Sequence, residues 1–163
     1  MIQTPITIES INIADHFQSV SQLMKLLHEN EREMFDKTAL CVDIEQNYMR
    51  HCIAMQKDCE GTFLMAYVEA EAVGFIFGYI EEQDDSRTET YTGRELYISD
   101  GFVLDTYRRL GIYKQMNELI ESIYIAKGIK RITRFVQCQN EKMHKLLLGQ
   151  GYMATRILYE KWL

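Results

Sequence analysis

Val103-Leu104-Asp105-Thr106-Tyr107-Arg108-Arg109-Leu110-Gly111-Ile112-Tyr113-Lys114 joins two segments of opposite periodicity. Upstream, Glu95 to Leu104 is rich in β-forming residues and reads as a strand. Downstream, Ile112, Met116, Leu119, Ile120, Ile123 and Tyr124 make one helical stripe, with Gly128 placed to end it. A strand, a basic turn and a helix start in succession form a physical anion site. The first N–H groups of a helix have no intrahelical partner, the macrodipole makes that end positive, and Arg108, Arg109 and Lys114 add charge. Gly111 lets the backbone approach a ligand closely. The turn contains neither GxxxxGK[ST] nor GxGxxG, so nothing in it points to ATP or NAD in particular.

Working outward, Thr4 to Glu9 reads as a first strand, and Ile13, Phe17, Val20, Met24 and Leu27 place a helix starting near Asn12. Asp43 as N-cap, with Gln46 three residues on and an apolar face of Ile44, Tyr48, Cys52 and Met55, predicts a second helix. The acidic stretch Glu29 to Asp36 lies between them. Thr62 to Val68 and Ala72 to Ile80 read as a hairpin around Glu69-Ala70-Glu71, and Gln83 to Gly93 as a loop. After the long helix, Arg131 to Gln137 reads as a strand, Asn140 caps a short helix through Gly149, and Ala154 to Trp162 reads as a closing strand. The order β-α-α-β-β-β-α-β-α-β predicts a mixed α/β (α+β) fold, a mostly antiparallel central sheet flanked by helices.

The chain has 163 residues, 47% hydrophobic and 26% charged, which suits one folded domain spanning 1–163. Its net charge of −6 argues against a nucleic-acid partner, because phosphate binding needs clustered Lys and Arg. No run approaches the ~20 apolar residues of a membrane span, and the N-terminal residues lack the pattern of a signal peptide, so the expectation is a cytoplasmic protein without a membrane partner. Cys41, Cys52, Cys59 and Cys138 form no CxxC pair and read as reduced thiols. His51, Cys52 and Cys59 lack metal-ligand spacing, so no metal is expected.

The segment Leu96-Tyr97-Ile98-Ser99-Asp100-Gly101-Phe102-Val103, followed by Arg108-x-x-Gly111, resembles the acetyl-CoA signature of the GNAT N-acetyltransferases, in which a bulged strand leads to (Gln/Arg)-x-x-Gly-x-(Gly/Ala) at a helix start. Asn140-x-x-Met143-x-x-Leu146-Leu147-x-x-x-Gly151-Tyr152 is similar to a second motif of that family. The resemblance implies acetyl-CoA as cosubstrate, held by Phe102, Val103, Arg108, Arg109, Leu110, Gly111, Ile112, Tyr113, Lys114 and Asn140. It also implies direct attack by an amine of a small molecule or peptide, and a homodimer in which the final strand, with Tyr159 and Trp162, pairs with a second copy.

Three departures stand out: Asp105 replaces a common proline, Tyr113 a small residue, and Leu147 the tyrosine that the family casts as general acid. Tyr113 would set a large ring beside the pyrophosphate, and Leu147 has no proton to give. These two leave a second reading open, a catalytically inactive relative that binds CoA or a protein partner. A thiol with pKa near ~8.5 leaves with modest help, whereas an ammonium near ~10 must first be deprotonated, so the base matters more than the acid. Glu95 and Asp100 are the candidate bases, with Tyr97 as a polar partner. Glu29, Glu31, Glu33 and Asp36, and the tyrosines Tyr67, Tyr79, Tyr91 and Tyr97, are candidates to line the acceptor side.

Overall fold

The computed structural model describes residues 5–86 and 88–163, with the side chains of Cys41, Asp43 and Ile44 also outside the description. Thr4, expected to open the first strand, lies outside the described residues, while Asp43, expected to cap the second helix, falls inside it, with Leu40 at the N-cap position. The first strand, β1, is Ile6–Ile11. Asn12 follows it and leads into a 3-10 turn at Ala14–His16 rather than a helix, its Oδ1 accepting from the Ala14 N–H at 2.9 Å as in an Asx turn. Helix α1 runs from Phe17 to Met34 and so absorbs Glu29, Glu31 and Glu33, while α2 covers Cys41–Asp58.

Strands β2 (Thr62–Val68) and β3 (Glu71–Glu82) form the expected hairpin. Glu69 and Ala70 both take positive φ, 48° and 67°, the backbone that a two-residue turn matched to strand twist demands. Strand β4 is Arg94–Val103, helix α3 is Ile112–Ala126, and the sheet order is β1-β2-β3-β4-β5. All neighbours are antiparallel except β4 and β5, which are parallel. Helix α4 covers Glu141–Gly149, with Asn140 as its cap, its Oδ1 accepting from the Met143 N–H at 3.2 Å.

Two expectations change. Strand β5 shrinks from Arg131–Gln137 to Ile132–Thr133, and Ala154 to Trp162 forms no strand at all. Tyr159 and Trp162 in that segment are exposed. A strand exists only through its partner, and β5, the adjacent edge, offers two paired residues; alternating apolar residues do not supply the missing ladder.

The sheet has an apolar layer on each face. Phe63, Met65, Phe75 and Phe77 face α1 and α2, while Leu64, Ile76, Leu96 and Ile98 face Ile112, Met116, Ile120 and Tyr124 of α3. Strand alternation puts Tyr97 on the first face and Ile98 on the second. The pairing with β3 then slips: Gly78 opposes Ile98 and Phe77 opposes Asp100, leaving Ser99 as the extra residue of a bulge. Beyond the bulge the faces exchange, so Asp100 and Phe102 turn toward α1 and Gly101 toward α3.

Candidate active site

Strands β4 and β5 pair only at Leu96 with Ile132 and Tyr97 with Thr133. Past that point they part. Among the described residues no strand covers the β4 edge from Ile98 to Val103, and unpaired backbone groups face a cleft of about 530 Å³. Glu31 and Met34 of α1, Ile112 and Tyr113 of α3, and Met143 and Leu146 of α4 line it.

At one end the loop before α3 is wound by two left-handed residues, Arg109 (φ 68°) and Gly111 (φ 76°), so that the helix starts at Ile112 with its N–H groups free. A Cβ at Gly111 would meet nothing nearer than Gln115 Nε2 at 3.8 Å, so glycine answers to the backbone angle there. Arg108 braces the loop: its Nε donates to the Val103 carbonyl at 3.0 Å, its Nη2 pairs with Asp105 at 2.7 Å, and its guanidinium lies 5.5 Å from the Phe102 ring centroid. Asp105 thus ties down the turn where proline was the expected residue. Arg109, Lys142, Lys145 and Asn140 line the cleft; Lys114 instead pairs with Glu118 at 3.7 Å on the exposed face of α3. Leu110 is half exposed and outside the lining.

At the other end sits Asp100, buried and accepting a 2.5 Å hydrogen bond from the Tyr48 hydroxyl of α2. Burial pushes its carboxyl above the ordinary range, while the hydrogen bond from Tyr48 pulls the other way. Glu31 shares the cleft, and burial together with the Asp100 charge raises it from 4.5 to about 7. Burial holds His28 below its usual value, hence neutral at pH 7. Two carboxyl groups that resist joint ionisation are poised to receive a cation, which relieves both.

Of the three residues expected to do acid-base work, Asp100 alone lines the cleft. Glu95 is buried at the far end of β4 and is held by Arg131 at 2.8 Å. Tyr97 stacks edge-on between Tyr79 and Phe135, behind the cleft lining, and burial pushes its hydroxyl up to about 12. Of the acidic stretch only Glu31 reaches the cleft, and none of Tyr67, Tyr79, Tyr91 and Tyr97 does. Tyr48, which completes the Asp100 site, looked from its helical spacing like an ordinary apolar-face residue; its 52-residue separation from Asp100 left no local signal. Tyr113 points away from the loop and packs its ring against Gly101.

A bulged β4 that parts from a parallel β5, with a basic loop at a helix start, defines an acyl-CoA-dependent transferase architecture, and the family comparison agrees. Residues 21–152 match the sequence model of the acetyltransferase (GNAT) family, to which this chain belongs, and the protein is an acetyltransferase. Aminoglycoside N-acetyltransferase AAC(6')-Iy in complex with CoA is similar in structure, with 19% identity, a TM-score of 0.73, and 98% of this chain and 96% of that one covered. So is AAC(6')-Ih from Acinetobacter baumannii (19% identity, TM-score 0.70, 98% and 99% covered). A structure of AAC(6')-Iy with the bisubstrate analogue CoA-S-monomethyl-acetylneamine gives 18% identity and a TM-score of 0.72 over 98% of this chain and all of that one. At these identities the likeness establishes the shared fold. No curated protein matches the chain in sequence.

Proposed function

We propose that this acetyltransferase uses acetyl-CoA to acetylate an amine of a small molecule or peptide, with Asp100 as the base. The observation that carries the reading is the position of Asp100. The bulge at Ser99 turns a buried carboxyl, its affinity for protons raised, into the same cleft that runs to the free N–H groups of α3. The residues fit a CoA-type ligand. The helix start with Arg109, Lys142 and Lys145 suits phosphates, Met143 and Leu146 suit a pantetheine arm, and the unpaired β4 edge at Phe102 and Val103 suits its amides.

When bound, acetyl-CoA supplies an activated acyl carbon. The protein's own residues do the rest. Asp100 and Glu31 draw an ammonium group into the cleft and Asp100 takes its proton, directly or through one water, because an amine attacks only when neutral. Tyr48 holds the Asp100 carboxylate in place through its own hydroxyl, which stays protonated at working pH because burial and the carboxylate raise it far above neutrality. The apolar wall excludes water that would hydrolyse the thioester.

The test is calorimetry of acetyl-CoA binding to the wild type, Arg108→Ala and Gly111→Trp, with circular dichroism as the check on folding, followed by an amine screen that reads CoA release. Micromolar binding lost in the variants, and release with some amine, support the reading. A folded wild type that does not bind acetyl-CoA overturns it.

A further inference from the structure

The departing sulfur needs a hydrogen-bond donor, because a thiolate formed in an apolar cleft has little solvent to hold it. Helix α4 offers no hydroxyl: Met143, Leu146 and the two lysines assigned above to phosphates, Lys142 and Lys145, line the cleft, and Leu147 is buried outside it. Three hydroxyl-bearing residues do line it, Ser99, Tyr107 and Tyr113. Tyr107 already donates to Glu71 at 2.8 Å, and the Ser99 hydroxyl is buried without a hydrogen-bond partner, so no cation polarises it as a donor.

Tyr113 is different. A Cβ on Gly101 would lie 2.6 Å from the Tyr113 oxygen, so the absence of a side chain there is what admits the phenol against the β4 backbone, one residue from Asp100. Arg134 Nη2 donates to that oxygen, while Nη1 donates to Oδ1 of the fully buried Asn117 at 2.8 Å. The guanidinium carbon also lies 5.7 and 5.8 Å from the centroids of the Tyr113 and Tyr152 rings. The oxygen therefore receives a hydrogen bond from a fixed cation, and among the described residues no acceptor takes its own hydrogen. A hydroxyl polarised in this way is a stronger donor than a free one. Burial keeps the phenol protonated at neutral pH against the opposing pull of Arg134.

We infer that Tyr113 donates its hydroxyl hydrogen to the departing sulfur of the acyl thioester, and that Arg134 is its positioning residue. The inference rests on the acetyl-CoA reading above. The step balances: the amine nitrogen bonds the acyl carbon as the carbon–sulfur bond breaks, the bonding pair leaves on sulfur, and the ammonium proton goes to Asp100. The thiolate, near ~8.5 in pKa, is held by the Tyr113 O–H and takes a proton from solvent on release. Asp100 and Gly101 are consecutive and face opposite sides of β4, so base and donor flank one point of the open edge.

The test titrates the thiol of CoA bound to wild type and to Tyr113→Phe, following thiolate ultraviolet absorbance, with calorimetry to establish that both bind CoA. Loss of one hydrogen bond to the anion predicts a thiol about tenfold less acidic on the variant. A fall in kcat with amine KM unchanged should accompany it. Arg134→Gln should shift the thiol in the same direction, and should add nothing in the Tyr113→Phe background if it acts through the phenol. Should Tyr113→Phe fail to fold, Arg134→Gln carries the measurement, and an unchanged thiol there overturns the inference. Equal thiol pKa values on wild type and Tyr113→Phe, with CoA bound to both, overturn the inference and leave the acetyltransferase reading standing. A folded wild type that binds no CoA overturns both.

Discussion

Glu31→Gln should stabilise the protein at alkaline pH and not at acid pH. In the folded chain burial and the Asp100 charge raise Glu31 from 4.5 to about 7, so the native state binds its proton more tightly than the unfolded chain does. The stability this contributes is complete below pH 4.5 and is lost as the pH rises through about 7. Glutamine has nearly the same shape, stays neutral and escapes that loss. At ~1.4 kcal/mol per pH unit the ceiling is about 3 kcal/mol. Solvent reaches part of the side chain and screens its charge, which brings the expected gain to roughly 1–2 kcal/mol at pH 8. For a chain of this length that is about 2–8 °C in Tm. Thermal unfolding followed by circular dichroism at pH 4.5, 6 and 8 reads it directly: the curves of wild type and variant should coincide at the acid end and separate as the pH rises. Parallel curves at all three pH values would refute the reasoning, because they would mean that Glu31 titrates in the cleft as it does in water. A bound amine should narrow the gap by stabilising the wild type more than the variant.

Asp100→Asn should retain CoA binding by calorimetry and lose about 10²–10⁴-fold in acetyl transfer, as removal of a general base does; a fully active variant would exclude Asp100 as the base. Tyr48→Phe removes the hydrogen bond that lowers the Asp100 pKa. The acid limb of its kcat/KM profile should therefore move to higher pH by about one unit, and a limb that stays in place or moves down contradicts the assignment. Gly101→Ala drives a methyl group to within 2.6 Å of the Tyr113 oxygen, with an expected loss of about 1–3 kcal/mol in urea unfolding. Adding Tyr113→Ala should make the Gly101→Ala change nearly neutral, since the ring it meets is gone.

Much of the fold and the helix-start end of the cleft were legible because their signals are local. The hairpin at Glu69 and Ala70, the stripe of α3, the glycine at its start and the Asn140 cap each depend on residues a few positions apart. The basic loop was legible as a turn that leads into a helix start at Gly111. Its arginines did not read individually: Arg108 faces back onto Val103 and Asp105, which only the folded loop reveals. The closing strand failed for the reason that strands generally fail, since alternation describes a surface and not a partner.

What the sequence by itself determined was the succession of elements as far as α4, through periodicities that a linear chain displays, and the family, through the resemblance of two motifs. What only the tertiary structure decided was which side chains meet. One unpaired residue, Ser99, exchanges the faces of β4 and so aims Asp100 at Tyr48 and Glu31 and Gly101 at Tyr113. Alternation with a period of two makes every residue beyond a bulge reverse its side, and no local pattern in β4 announces where its neighbour β3 will slip. Asp100 and not Glu95 thereby lines the cleft, and Tyr113, a misfit in the linear motif, finds its place against a glycine in another strand.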